Sequence, residues 1–519
     1  MVVNDNINLG FNPMVNIVHA ALNTLFIHLK KLEMEKPNIP TYFLFTIFLV
    51  IFYTNGSAQG RKVTIYPAPA SVNLSHDYKV SVEGKDVPVY MAMVGRADQV
   101  DGGNFTNFDM LNDLDTASFA YFDMNYPVTV SVKVSTPVTA VKILPLSAGI
   151  IPKINGKSVS FTMAIPKNLT VEINGRWIRS LHIFANPPET NVPQPNDTSV
   201  IYFGPGVHEV SQMTIGDNKT LYIAGGAVVR AVLSREEKNG DQMHFPPTFI
   251  LKGKNITVRG RGIIDARLCP THTRNMFLTN GSDIRFEGVI LLDASTWFMP
   301  IRQSDHVMIS NIKLIGYRSN SDGIDIVSSR DVTVENCFIR SSDDLIVIKS
   351  DRKQGKSDHI VARGCSLWNV TAHALSIGAE VREDVNDVLF TDCDVIHDTG
   401  REWSLRVYHS DSARVSNIRF ENIRIEESHR FISLWIGQSF WSEDKSQRGQ
   451  IQGVVFKDIK ASGSPLTIDL VGADDKHGID DVLFENVSLN GRAMTMKDVK
   501  ANAFVKNIVI KQYHERDDD

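Results

Sequence analysis

Three aspartates carry the chemistry expected of this chain: Asp322 and the adjacent pair Asp343 and Asp344. Carboxylates held close together raise one another's pKa, so at least one keeps its proton near neutrality. One protonated and one ionised carboxyl make a general acid and a general base. Glycosidic bond cleavage is the commonest chemistry run by two carboxylates alone. An isolated aspartate in such a chain more often caps a turn, and Asp331, Asp387 and Asp392 are read that way. The three differ in their company, because His373 and Arg406 fall at related places in the segments that follow. Oxygen ligands on one stripe could hold calcium, but neither histidine nor arginine is a calcium ligand. Neither a metal nor a cofactor is expected.

A repeat supplies the elements that bring these residues together. One short β-rich phrase returns as ITVRGRG at 256, IRFEGVI at 284, VMISNIK at 307, VTVENCF at 332, IVARGCS at 360, VLFTDCD at 388, IRFENIR at 418, VVFKDIK at 454 and VLFENVS at 482. Its turn positions are Gly260, Gly288, Asn311, Asn336, Gly364, Asp392, Asn422, Asp458 and Asn486, spaced by 28, 23, 25, 28, 28, 30, 36 and 28 residues. Such a period, with several short strands and no helix between, predicts a β-solenoid. Propeller blades need longer repeats, and the consensus of a leucine-rich repeat is absent. Cys337, Cys365 and Cys393 recur every 28 residues and read as a buried ladder rather than as metal ligands.

The repeat sets a register. DGIDI from Asp322, DLIVI from Asp344, HALSI from His373 and SLRVY from Ser404 align as successive coils. Asp322, Asp344 and His373 then share one column, Asp343 precedes Asp344, and Arg406 lies two places along its own strand. Neighbours in a column stand one strand spacing apart.

At 519 residues the chain is too long for one ordinary core. Its net charge of −5 gives no reason to expect a nucleic-acid partner. Four cysteines in this length make no disulfide framework. Residues 1–58 read as an N-terminal extension plus signal peptide, with an apolar core at 42–53 and small residues Gly56-Ser57-Ala58 before a mature start near Gln59. Met34 is an alternative initiator. This predicts a secreted, periplasmic or cell-surface protein, free of the membrane after cleavage. Residues 61–186 alternate like an all-β sandwich, 187–199 form a proline-rich linker, and 200–510 form the solenoid.

The segments Asn320-Ser321-Asp322, Asp343-Asp344, Ala372-His373-Ala374 and Arg406-Val407-Tyr408 follow the order N-T-D, D-D, G-H-G, R-I-K. In this the stretch from about 200 to 490 resembles the polygalacturonase-like clan of glycoside hydrolases, families 28 and 49. The β domain before it looks like the sandwich of the dextranase family. The resemblance implies an all-β chain, a sandwich followed by a right-handed parallel β-helix. It also implies an inverting hydrolase of α-glycosidic bonds in a polysaccharide. Asp343 would be the general acid, Asp322 and Asp344 would hold and activate water, His373 would tune the acid, and Arg406 would bind sugar. Inversion asks for roughly 6.5–9.5 Å between acid and base.

Two departures bear on the substrate. Tyr408 stands where the pectinases carry a lysine that helps bind the uronate carboxylate, and alanines replace the glycines around His373. Both favour a neutral or differently charged α-glycan, as in the dextranase-like branch. Lys349, Arg352 and Lys353 could still meet an acidic sugar, against the plainer reading of a solvated basic turn. Asn320, Tyr408 and Lys349 complete the expected substrate-binding set. Trp297, Trp403, Trp435 and Trp441 are candidate sugar platforms, with Trp403 foremost. Trp441 falls in the 36-residue step, expected to wall the cleft. Alternatives are a polygalacturonase proper, a β-helix polysaccharide lyase, and a non-catalytic glycan-binding solenoid. A monomer with a polysaccharide or oligosaccharide partner is expected.

Overall fold

The computed structural model describes residues 60–95, 114–239, 244–398, 400 and 402–513. The proposed signal segment, Met34 and Gln59 lie outside them. Residues 62–519 form one compact unit, and of the unit 1–61 only the last two residues are described.

Two antiparallel-rich sheets come first. The six-stranded one includes Leu114–Met124, Asn168–Ile173 and Leu181–Asn186, and the five-stranded one includes Lys79–Val82, Val128–Lys133 and Ser158–Met163. Val128–Lys133 alternates as VTVSVK, its valines fully buried between the sheets with Phe161, Met163, Leu169 and Val171. Period-two patterning thus builds the sandwich core. Asn168–Ile173 reads NLTVEI and Leu181–Asn186 reads LHIFAN, yet both are buried at every position. Both are buried on both faces because the second face packs on the solenoid, where Phe119, Tyr121 and Phe184 join Ile290, Ile315, Phe338 and Trp368 in one apolar cluster. Residues 187–199 carry no strand, yet Arg261 and Arg259 donate to the carbonyls of Pro187 at 2.9 Å and Thr190 at 2.7 Å.

The rest is a right-handed parallel β-helix of 29 strands among the described residues. Three strands make a coil, so through the central coils a strand pairs with the third one after it: Ile324–Val327 with Ile346–Ser350, Arg330–Glu335 with Ser357–Arg363, Phe338–Ser341 with Ser366–Asn369. No coil buries its own apolar face, and stacking closes the column. Phe390, Phe420, Phe456 and Phe484 stack along the core at 4.9, 5.1 and 5.1 Å between centroids. All nine turn positions of the repeat have φ between 49° and 132°. Asparagine, aspartate and glycine are the residues that enter this left-handed region most cheaply. Asp331, Asp387 and Asp392 have φ of 52–54°, as expected of turn residues. Cys337, Cys365 and Cys393 are buried and unpaired, with Sγ of Cys337 and Cys393 facing backbone carbonyls two residues back at 3.3 and 3.2 Å.

Candidate active site

Ile324, Ile346, Leu375 and Leu405 are register partners on one face of the β-helix, all pointing into the core. Two residues before them come Asp322, Asp344, His373 and Trp403. The first three therefore share a column as expected, but the fourth coil is displaced by one residue from the sequence alignment. Aligning from Ser404 would have put Arg406 in the inward apolar row, where an unpaired guanidinium is very costly. Arg406 instead takes an outward position, in line with Asp325, Val347, Ser376 and Ser433. Trp403, not Ser404, stands beside His373 in the column.

The three aspartates meet. One oxygen from each lies within 4.8 Å of the others. This is shorter than the gap expected for a water between acid and base, and the cause is structural. Asp343 and Asp344 are neighbours in the chain, and Asp322 is one coil away, about 4.8 Å. The Asn320 N–H donates to Asp343 Oδ2 at 3.1 Å and the Asp344 N–H to Asp343 Oδ1 at 3.0 Å. Asn320 has φ 54°, so the turn before the strand aims its amide into the site. Gly95, at the end of the sandwich strand Tyr90–Gly95, adjoins this edge: a Cβ there would stand 3.3 Å from Ser342 Oγ.

Lys349 sits at the centre rather than on a solvated turn. It is 5% exposed and its Nζ lies 2.8 Å from Asp325, 3.2 Å from Asp322 and 3.9 Å from Glu380, under the Trp297 ring at 4.1 Å. Arg352 and Lys353 are exposed, and Arg352 pairs with Glu443 at 2.7 Å. Asp344 pairs with His373 Nδ1, and the Arg406 guanidinium contacts the same imidazole. Glu402 lies 3.7 Å from His373 Nε2. Arg406 also lies over the Tyr408 ring at 3.9 Å, and Tyr408 stacks on Trp435 at 4.3 Å. Trp403 lies 5.1 Å from Arg430. Trp441 lies on a separate loop.

Asp325, Glu380 and Glu402 escaped the sequence reading. Asp325 had a legible signal: within DGIDI it is the outward-facing alternate to Ile324 and Ile326.

Electrostatics divide the acids. Burial, then Asp325 and Asp343, hold Asp322 well above the carboxylate range. Burial and Asp344 lift Asp343 to about 6. Burial lifts Asp325 to about 6 although Lys349 pulls it down. Burial also opposes charge on Asp344, but His373, Lys349 and Arg406 together hold it below its ordinary value. Burial and Arg406 oppose a proton on His373, and Asp344 and Glu402 outweigh them and raise it. One carboxylate with a lowered pKa thus stands beside others whose pKa is raised. Asp322, Asp343 and Asp344 are also the residues placed to hold a cation, but Lys349, His373 and Arg406 already supply positive charge there.

Residues 256–508 match Glycosyl hydrolases family 28. In this the β-helix resembles the polygalacturonase-like glycoside hydrolases. An exopolygalacturonase of Zea mays is 24% identical over 288 residues, which cover 49% of this chain and 65% of that protein. The chain thus spans just under two thirds of that relative's length. Dex49A from Penicillium minioluteum superposes with a TM-score of 0.58 at 14% identity, covering 86% of this chain and 96% of its own. That share exceeds what the β-helix of this chain could supply alone, so the likeness of fold extends into the sandwich. The exopolygalacturonase from Thermotoga maritima has a TM-score of 0.50 at 16% identity and covers 60% of this chain and 83% of its own.

Proposed function

We propose that this protein is a secreted inverting glycoside hydrolase that cleaves α-glycosidic bonds within a polysaccharide. The observation that carries it is the meeting of three aspartates within 4.8 Å beside His373 and Arg406, with the pKa of Asp344 pulled down and those of Asp322 and Asp343 raised. Asp343 protonates the leaving glycosidic oxygen. Asp344 takes the proton from the attacking water, and Asp322 helps hold that water. His373 keeps Asp344 ionised and oriented, so it acts through that residue. Arg406, Tyr408 and the Asn320 turn face the adjacent sugar. The short spacing of the acids makes the anomer of the first product, read by NMR, the direct test of inversion.

A neutral α-glycan of the dextran type fits this site. Lys349 is already engaged by Asp322 and Asp325, and Tyr408 carries no charge. Relatives named polygalacturonases support the second reading, a pectin enzyme proper. Reducing-end release from dextran, pullulan and polygalacturonate separates the two. An Asp343→Asn control should lose at least 10³-fold in kcat while folding normally, on the order of what a positioned general acid supplies. Wild-type turnover by that variant would remove Asp343 from the mechanism. The hydrolysis needs no cofactor and the enzyme acts as a monomer. Sequencing the N-terminus of the mature protein tests export.

A further inference from the structure

Between the strands Arg424–Ile436 and Gln450–Val471 the chain leaves the β-helix, and two aromatic rings stand out from this excursion. Phe440 is 78% exposed and Trp441 43%, with centroids 4.3 Å apart and planes tilted by 38°. Ring surface of this size left in water is unfavourable, and an exposed pair marks a binding surface more often than a lone ring does.

The loop holds the rings in a fixed stance. The Ser439 N–H donates to Ser442 Oγ at 3.0 Å and the Trp441 N–H to Ser439 Oγ at 3.1 Å. The N–H groups of Glu443 and Asp444 both donate to Oδ1 of the buried Asp411, at 2.8 and 3.2 Å. Arg382 donates to the Trp441 carbonyl at 3.3 Å, and Arg352 pairs with Glu443.

These contacts continue into the cleft. Arg382 pairs with Asp351 at 2.7 Å, Asp351 with Arg302 at 2.5 Å, and Arg302 lies 5.3 Å from the Trp297 ring that covers Lys349. The route follows the carboxyl ends of Met299–Arg302, Ile346–Ser350 and Leu375–Val381, whereas the acids lie at the amino ends of these coils' strands. Five strand residues at about 3.3 Å each place the loop roughly 15 Å from the reacting bond. Tyr408 and Trp435 stack within that interval.

We propose that Phe440 and Trp441 form a distal sugar-binding platform, which holds the polysaccharide several rings away from the bond being cut. The proposal rests on the glycoside hydrolase reading. The C–H face of a pyranose is apolar and its rim is polar, so it suits an aromatic ring that keeps one face in water. A platform at this distance gives nothing to a short substrate and adds binding to a long one.

The test compares the polymer cleaved by the wild type with a di- or trisaccharide of the same glycan. In the double variant Phe440→Ala/Trp441→Ala, the ratio of kcat/KM for polymer over oligosaccharide should fall about tenfold, through KM. Ile151→Ala, on the sandwich surface and 84% exposed, should leave the ratio unchanged. Affinity electrophoresis in gels containing dextran or polygalacturonate reads the platform without turnover: the wild type is retarded and the double variant runs freely. Retardation without cleavage would keep the platform and reject the hydrolase reading. An unchanged ratio together with unchanged mobility overturns the platform. So does sedimentation showing a wild-type dimer that the double variant breaks, because a second copy would then cover the rings.

Discussion

Two regions of this molecule that bury charge handle it in opposite ways. Where the sandwich meets the β-helix, each charge has a dedicated partner. Arg261 pairs with Asp123 at 3.0 Å, Lys313 donates to Asn186, Arg340 lies 3.7 Å from the Trp368 ring, and His397 bridges Glu172 and Glu427. In the cleft, Asp322, Asp325, Asp343, Asp344 and Glu380 crowd around Lys349, Arg406 and His373. A separate partner for each buried charge, whether carboxylate, amide or ring, fixes a docked interface. A surplus of acids spreads their proton affinities, and that spread is what proton transfer between substrate and protein requires.

Removing one cation from each region should widen the contrast. Lys349→Met strands Asp322 and Asp325 without their shared partner and should lower unfolding free energy by about 3–5 kcal/mol, with hydrolysis lost too. Arg261→Met should cost a similar amount in urea unfolding, yet leave kcat within twofold. Equal kinetic damage in both would erase the distinction between the regions.

The pH profile of kcat/KM sharpens it further. Asp343 must be protonated to act as acid, so activity should decline as pH rises through about 6. The acid limb belongs to Asp344, whose depressed pKa places the loss of activity below the ordinary carboxylate range. A profile flat from pH 5 to 8 would contradict this assignment.

The smallest effect is expected at the interface. Burial opposes a proton on His397, but Glu172 and Glu427 outweigh it and raise its pKa. A group whose folded pKa is raised contributes stability in full below its unfolded pKa and loses it as pH rises through the folded value. The Tm gap between wild type and Glu172→Gln should therefore be widest below about pH 6.5, the unperturbed histidine value, and narrow above it. A gap that widens with pH would refute the bridge.

Much of this was legible in the residues. The turns were, because left-handed backbone accepts few residue types, and Gly260 through Asn486 spell them out. The column of Asp322, Asp344 and His373 followed from those turns. The slip at Ser404 came from counting turn-like residues when the inward row of Leu375 and Leu405 sets the register. Lys349 looked like part of a basic turn because sequence shows its neighbours Arg352 and Lys353, not the carboxylates of Asp325 and Glu380 from adjacent coils. The acid spacing depends on coil geometry that no motif records. The burial of both faces of Asn168–Ile173 was hidden, because NLTVEI alternates like a strand with one wet face.

The cysteine ladder has a consequence for where this chain can be made. All four thiols, Cys269 included, are buried and unbonded. Cys365 is held well above the ordinary thiol range by its neighbours Cys337 and Cys393 and by burial, so little nucleophilic thiolate forms. Folding therefore needs no oxidant and no thiol exchange, and a reducing agent finds no bond to cut. The coils close equally well in a reducing cytosol and in an oxidising exterior.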